Sequence, residues 1–270
     1  MLKSPQPEDD GLVIPVVGRQ STQKHYFLER YINIFTKSMK GKWGLHFIDL
    51  FSGAGIERLR GSNELRWGSP MLAVHAPKPF DRLHLCELDK EKCEALKARM
   101  NRYRPDSQIV NGDANEMVTR IAAEIPRGSL SLAFLDPYGL QLDFATVEQL
   151  AGLRADLIIF FPDRLDMLRN WKHYYYDNPD SKLDHYLGLD SNWRSVLDST
   201  PPGRRVEALK ALYRQRLRER FHYSVVEHER IPTDGRPLYY LVFCSRSDRG
   251  AQFWKEISRK KPDGQRTWDF

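Results

Sequence analysis

Short apolar runs alternate with amphipathic segments along most of this chain. An apolar stripe at helical spacing predicts a first helix over residues 23–39, ending at Lys40-Gly41. Compact apolar runs then predict strands over residues 45–50, 82–87, 108–110, 130–135 and 156–161. Segments of helical periodicity lie between and before these strands, over residues 68–76, 89–103, 114–125 and 144–153. Five such βα repeats predict a parallel sheet covered by helices on both faces, which is a doubly wound α/β fold.

The C-terminal part of the chain departs from this rhythm. Residues 222–230 and 237–245 are two β-rich runs, joined by a turn that contains Pro232 and Gly235. One of the two strands must therefore run antiparallel to the other. A mostly parallel Rossmann-like sheet that is closed by a C-terminal antiparallel hairpin is typical of class I methyltransferases. A last helix is predicted over residues 252–260.

The pattern also predicts how the chain is organised. At 270 residues the chain is near the upper limit for one core. Residues 1–20 are expected to be a disordered start, and residues 21–270 a single methyltransferase-like domain. An insertion is predicted at 163–220, after the fifth strand. It is rich in aromatic residues and ends in a basic helix over residues 204–220.

Composition narrows the classes of protein to consider. The net charge is +6 and the pI is about 9.1, so an anionic partner is plausible. Three cysteines without C-x-x-C spacing support neither a disulfide framework nor a zinc site, which suits a reduced, cytoplasmic protein. No apolar run approaches the roughly 20 residues that cross a bilayer. The eight histidines form no H-E-x-x-H pattern, so no metal is expected.

The turn after the first predicted strand indicates a nucleoside cofactor. It contains Asp49, Phe51, Gly53 and Gly55 but lacks the third glycine of the dinucleotide fingerprint. A carboxylate here would repel a pyrophosphate and attract the ammonium group of an amino acid. S-adenosylmethionine suits this turn, with Asp49 and the amides of 51–55 holding its methionyl part. The alternative is an ordinary strand-turn with helix-capping residues.

Acidic residues also follow the second and third strands. Glu87 is predicted to accept hydrogen bonds from the ribose hydroxyls. Asp113 is predicted to accept a hydrogen bond from the exocyclic amine of adenine, while Ala114 leaves room for the adenine ring. Each acid could instead cap the next helix, and Asp89 is expected to do so. Acids at three successive strand ends exceed what capping requires.

The predicted catalytic segment is Asp136-Pro137-Tyr138, at the end of the fourth strand. It is similar to the (Asp/Asn)-Pro-Pro-(Tyr/Phe) tetrapeptide of amino-group methyltransferases, which holds the amine by an acid and a carbonyl and stacks on the base. Positioning would supply most of the catalysis. This chain has one proline where the motif has two, so a structural Pro-Tyr-Gly turn remains the alternative. Methylation of cytosine at C5 requires a nucleophilic cysteine beside a proline after the fourth strand. No cysteine lies between Cys93 and Cys244, so this reaction is not expected.

The insertion supplies candidate nucleic-acid contacts. Trp171, Lys172 and the tyrosines at 174–176 would form a stacking and phosphate-binding surface. The basic helix would add four arginines: Arg204, Arg205, Arg214 and Arg218. The alternative is that the aromatic residues form the core of a small insertion, beneath a solvated helix.

With these motifs in place, the chain resembles the three-Cys-motif partner family of bacterial and phage proteins. The resemblance runs from Lys24, His25 and Tyr31 through 47–55, 68–70, 112–115, 134–139 and 156–162, and it ends with 238–245 and 253–254. It implies a methyltransferase-like fold, a cofactor pocket, a three-cysteine partner protein and a nucleic-acid setting. It does not carry over a reaction.

The sequence therefore favours an S-adenosylmethionine-dependent methyltransferase that modifies an exocyclic amino group of a nucleic-acid base, either RNA or DNA. A second hypothesis is a catalytically silent module that binds nucleic acid or cofactor for a neighbouring three-cysteine enzyme. Methylation of a protein or a small molecule is a third.

Overall fold

The strands of the protein fall into two sheets. The structure, a computed structural model, describes residues 6–161, 172–223, 225–233 and 236–258. The strands are β1 (Val16–Val17), β2 (Leu45–Asp49), β3 (Ile56–Leu59), β4 (Leu65–Trp67), β5 (Arg82–Glu87), β6 (Gln108–Asn111), β7 (Leu130–Leu135), β8 (Ala155–Phe161), β9 (Val225–Thr233) and β10 (Arg236–Ser245).

Helices precede, separate and follow these strands. They are α1 (Gln20–Met39), α2 (Ser69–Val74), α3 (Lys90–Tyr103), α4 (Ala114–Ala123), α5 (Phe144–Ala151), α6 (Lys182–Leu187), α7 (Trp193–Asp198), α8 (Arg205–Phe221) and α9 (Asp248–Ser258). A π-helical turn, Lys172–Tyr176, and a 3₁₀ turn, Pro202–Arg204, lie in the insertion. Within the described ranges, no helix is both long and apolar enough to cross a membrane.

The large sheet has seven strands in the order β6-β5-β2-β7-β8-β10-β9. β2, β5, β6, β7 and β8 are parallel, whereas β10 runs antiparallel to both β8 and β9. This arrangement confirms the predicted doubly wound, mostly parallel sheet with a C-terminal antiparallel hairpin. The order reverses between β2 and β7, and ligands of such sheets bind at that crevice.

Alternate residues of the central strands fill two separate cores, one on each face of the sheet. In β2, Phe47 packs with α1 and α2, and Ile48 packs with α4 and α5. In β8, Ile158 and Ile159 divide in the same way. All of these side chains are buried, as the near-continuous apolar runs of a doubly covered parallel sheet require.

A disordered start was predicted for residues 1–20; residues 1–5 lie outside the described residues, and within 6–20 the structure has the short strand β1. β1 pairs with β3, and β3 pairs with β4, in a small second sheet that the sequence did not predict. Asp10 forms two hydrogen bonds with the guanidinium group of Arg99, at 2.8 and 2.6 Å. Arg99 is buried and also donates to the carbonyl of Ala54. The N-terminal segment is thereby joined to the turn after β2.

Two histidines on β2 and β5 form a buried polar contact inside the sheet. Nδ1 of His46 lies 2.9 Å from Nε2 of His84, whose Nδ1 donates to Oε1 of Gln108 at 2.7 Å. In neutral His84, Nδ1 donates to Gln108 and Nε2 accepts a hydrogen bond from Nδ1 of His46. Burial lowers the pKa of His84 from 6.5 to about 4.

Acidification is therefore expected to weaken the fold through His84. His84 takes up a proton near pH 6.5 in the unfolded chain and only near pH 4 in the folded chain. Its contribution to the free energy of unfolding is therefore fully present above pH 6.5 and is lost as the pH falls. Between pH 7 and pH 5 the loss should be about 2 kcal/mol. Chemical denaturation of the wild type and of His84→Gln at both pH values isolates this contribution. Equal pH dependence in the two proteins would contradict it.

Candidate active site

A cavity of about 900 Å³ lies at the carboxyl ends of β2, β5, β6 and β7. Its volume is in the upper part of the range for small-molecule sites. Seven of the ten residues predicted for catalysis or cofactor binding line it: Phe51, Gly53, Glu87, Asp113, Ala114, Asp136 and Tyr138. The topology thus brings together residues that lie far apart in the sequence.

Glu87 occupies the position expected of a ribose-binding acid. Its Oε2 accepts from the amide of Gly53 at 2.7 Å, and its Oε1 accepts from the amide of Asp89 at 2.9 Å. The residue is 9% exposed and lines the cavity. Because a carboxylate has about four acceptor positions, each oxygen can still accept one more hydrogen bond. Two backbone amides thus fix a carboxylate that can bind a pair of hydroxyl groups.

Asp113 serves as the N-cap of α4. Its side chain accepts from the amide of Asn115 at 2.8 Å, as the capping alternative predicted. It also lines the cavity beside Ala114, so the two roles are compatible. Asp89 caps α3 by accepting from the amide of Lys92, which agrees with its expected role.

Asp49 does not line the cavity, and its position corrects the predicted contact with the methionyl group. The side chain has no exposed surface and lies beneath the turn. Its Oδ1 accepts from the amide of Phe51 at 3.1 Å, while Oδ2 has no hydrogen-bond partner of good geometry among the described residues. Burial raises the pKa of Asp49 to about 7. Asp49 therefore shapes the turn from below.

The two glycines of the turn have different roles. Both have positive φ, at 62° for Gly53 and 86° for Gly55. A Cβ on Gly53 would meet no atom within 4 Å, since this residue lines the cavity. A Cβ on Gly55 would lie 3.2 Å from Cδ1 of Leu96. Gly55 is therefore closely packed against α3 at a positive φ that favours glycine, and it is not among the described residues that line the cavity.

Asp136 forms an ion pair that the sequence analysis did not anticipate. Nζ of Lys24, on α1, lies 2.8 Å from Oδ1 and 2.7 Å from Oδ2. The same ammonium group lies 4.0 Å from the ring centroid of Phe160. Lys24 is 9% exposed. One signal could have found it, because Lys24 falls on the same helical stripe as the buried residues Leu28 and Tyr31.

The two residues after Asp136 separate in space. Pro137 is buried and is not among the described residues that line the cavity, and its contact with an acceptor stays a prediction. Tyr138 is 89% exposed and stands at the cavity wall. An aromatic ring with so much of its surface exposed at the mouth of a cavity is available to stack on a ligand.

Glu57 is a cavity carboxylate that the sequence pattern did not indicate. It lies on β3 and lines the cavity. The hydroxyl of Ser21 donates to its Oε2 at 2.6 Å, and Nδ1 of His25 lies 3.6 Å from the same oxygen. No local sequence pattern indicates Glu57, because its contacts depend on how α1 packs over the hairpin that β3 and β4 form.

The insertion contributes to the cavity through α6. Lys182 and His185 both line it. Nε2 of His185 lies 2.6 Å from Asp180, and its Nδ1 lies 3.7 Å from Asp143, another lining residue. Through α6, the C-terminal part of the predicted insertion therefore reaches the carboxyl edge of the sheet.

The predicted nucleic-acid surface is not part of the cavity. Trp171 lies outside the described residues, and Lys172 and Arg204 are exposed. Arg205, Arg214 and Arg218 lie on α8, and none of the five is among the described residues that line the cavity.

The tyrosines of the insertion follow the alternative interpretation in part. Tyr175 and Tyr176 are partly buried against the core, and Tyr176 donates to Asp198 at 2.7 Å. Trp193 is fully buried. Tyr174 is 59% exposed.

The cavity wall is acidic. The carboxylates on it are Glu57, Glu87, Asp89, Asp113, Asp136 and Asp143, and the lysines are Lys92 and Lys182. A wall of this charge attracts a cationic ligand and repels phosphates. In the part of the chain that the structure describes, no group of three or more His, Cys, Asp or Glu side chains is placed to hold a metal ion. The charge of the wall therefore suits a ligand that carries positive charge.

The fold is similar to that of protein LPL1258 from Legionella pneumophila, with 12% identity and a TM-score of 0.56 over 88% of this chain and 91% of that chain. At this identity the likeness shows the fold alone. Weaker likenesses, with TM-scores of 0.48 and 0.45, are to an O-methyltransferase from Bacillus cereus in complex with SAH and to Trm1 from Pyrococcus horikoshii with S-adenosyl-L-methionine.

The alignment with the first of these two has 12% identity and covers 83% of this chain and 80% of that chain. The second has 14% identity and covers 90% of this chain and 61% of that chain. At these scores no function can be transferred. No protein-family model matches the chain, and neither does any curated protein.

Proposed function

We propose that this protein is an S-adenosylmethionine-dependent methyltransferase that modifies an exocyclic amino group of a nucleic-acid base. One observation supports this above all: Glu87, Asp113, Asp136 and Tyr138 line one cavity at the switch point of a doubly wound sheet. When bound, S-adenosylmethionine supplies an electrophilic methyl group. Its cationic character suits the acidic wall.

The residues of the chain would divide the work by position. Glu87 would bind the ribose hydroxyls, and Asp113 and Ala114 would border the adenine. Asp136 would accept a hydrogen bond from the acceptor amine, and Tyr138 would stack on the acceptor base. Such contacts orient the nitrogen lone pair, and orientation is a large part of catalysis in reactions of this type.

The acidic wall also bears on how a nucleic acid would bind. Phosphates are repelled from the cavity, so only an unstacked base would enter, while the backbone stays outside. The exposed side chains of Lys172 and Arg204 are candidates for backbone contacts, together with Arg205, Arg214 and Arg218. Single-stranded RNA or DNA is therefore the expected form of the substrate.

Transfer of label from S-adenosylmethionine to single-stranded RNA and DNA tests this function. We expect methylation of one of the two pools, and a loss of at least 100-fold in Asp136→Ala. Asp106→Ala serves as the control, because Asp106 pairs with Arg104 away from the cavity. Calorimetry that detects no binding of S-adenosylmethionine to the wild type would contradict the proposal.

A second function is favoured by the ion pair at Asp136. Both oxygens of this carboxylate already accept from Lys24, and the segment has one proline where amino-group methyltransferases have two. A module that binds cofactor or nucleic acid for a three-cysteine partner would show binding without transfer. The resemblance to the three-Cys-motif partner family motivates this alternative, and cofactor binding without label transfer to any pool would support it.

A further inference from the structure

Glu57 is a cavity carboxylate to which the proposed function assigns no role. It lies on β3, in the hairpin between the cofactor turn and α2. Its Oε2 accepts from Ser21 at 2.6 Å and lies 3.6 Å from Nδ1 of His25. These contacts, together with its place inside β3 opposite Arg66 of β4, fix the carboxylate at the cavity wall.

Glu57 and Asp136 are held by neighbouring residues of one helix. Ser21, Lys24 and His25 are spaced i, i+3 and i+4 on α1, so they lie on one face, with Cβ atoms about 5–6 Å apart. Lys24 holds Asp136, and the other two hold Glu57. Both carboxylates line the cavity and are contacted by this one face of α1, and in the proposed function Asp136 marks the acceptor end.

A pair of carboxylates selects among the amino bases. An ionised carboxylate only accepts hydrogen bonds, so each one needs an N–H group on the ligand. In guanine, the ring N1–H lies next to the 2-amino group, and the two form a row of donors. In adenine and cytosine, the ring nitrogen next to the amino group is an acceptor. A lone pair placed against Glu57 would be repelled, and the carboxylate would lose a partner.

We propose that Glu57 accepts the ring N–H of guanine, so that the base methylated is guanine and the atom is its exocyclic N2. The inference rests on the proposed methyltransferase function. In the step, the N2 lone pair forms the new N–C bond, and the electron pair of the C–S bond returns to sulfur. Neutral S-adenosylhomocysteine leaves, and N2 loses one proton to solvent. Glu57 positions the base and exchanges no atoms with it.

The test compares three single-stranded oligonucleotide series, each with guanine, adenine or cytosine as its one amino base, in a uridine background for RNA and in a thymidine background for DNA. For the wild type with labelled S-adenosylmethionine, we expect kcat/KM for guanine to exceed the other two by at least 100-fold. In Glu57→Gln the kcat/KM for guanine should fall 10- to 100-fold, mainly through a higher KM, because the neutral amide binds the ring N–H less strongly than the carboxylate does. The NH2 group of the new side chain can also donate to a ring nitrogen that accepts. The preference for guanine over adenine should fall at least 10-fold.

Glu64→Gln is the matched control, since Glu64 is an exposed acid of the same hairpin that pairs with Arg66 and does not line the cavity. It should leave both the rate and the preference unchanged. A purely structural role for Glu57 would lower the melting temperature and scale all three bases equally, and this result would overturn the inference.

The remaining outcomes separate this inference from the function on which it rests. Preferred transfer to adenine or cytosine overturns the guanine assignment and leaves the methyltransferase function in place. Binding of S-adenosylmethionine without transfer to any base overturns the inference and supports the silent module. Absence of cofactor binding in the wild type overturns the proposed function itself.

Discussion

Glu87→Ala is expected to weaken binding of S-adenosylmethionine by at least 100-fold. The carboxylate is 9% exposed, and two backbone amides orient it at the cavity wall. A hydrogen bond to a charged group contributes roughly 1.5–3 kcal/mol, so the loss of two bonds to ribose hydroxyls corresponds to a factor of about 10² or more. The substitution also removes the acceptor of the Gly53 amide, which acts in the same direction. Isothermal titration calorimetry with the purified protein measures the effect.

Glu91→Ala provides the matched control for this experiment. Glu91 is an exposed acid in the first turn of α3, four residues along the chain from Glu87, and it does not line the cavity. The affinity of the Glu91→Ala protein for S-adenosylmethionine should stay close to that of the wild type. An affinity of Glu87→Ala within threefold of the wild type would show that this carboxylate does not hold the ribose.

Lys24→Met should reduce methyl transfer at least 100-fold and leave the affinity for S-adenosylmethionine within about threefold. Lys24 neutralises Asp136 through contacts of 2.8 and 2.7 Å, and the two side chains are 11% and 18% exposed. Without the ammonium group, a largely buried carboxylate loses its counterion and its fixed orientation. The acceptor amine would then meet a misplaced hydrogen-bond acceptor. Steady-state kinetics with the preferred oligonucleotide measures kcat and KM separately.

Stability measurements distinguish a loss of positioning from a loss of folding. Lys24→Met leaves Asp136 unpaired, whereas Lys24→Met combined with Asp136→Asn removes both charges. The double variant should therefore recover much of the stability that the single variant loses, but none of the activity. Lys40→Met is a control, because Lys40 pairs with the more exposed Asp81 at the end of α1. Full activity in Lys24→Met would exclude the proposed role of this ion pair.

Many of the elements were predictable because they depend on local patterns. The strands β5 and β7 have the predicted bounds, since each is a compact apolar run between polar turns. The ends of α4 and α5 differ from the prediction by two residues, because terminal turns form few bonds of their own. The pair β3 and β4 was missed. These strands are short, and their burial arises from contact with β1 and the turn after β2.

The sequence by itself determined the fold class and the positions of Glu87, Asp113 and Asp136 at the ends of strands. Residue periodicity fixes which segments become strands, and parallel strands place their carboxyl ends at one edge of the sheet. Only the tertiary structure showed that Asp49 lies beneath the cavity, and that Lys24 and Glu57 belong to the site. Those facts depend on how α1 packs across the sheet, and such long-range contacts leave little trace in the local pattern of a single sequence.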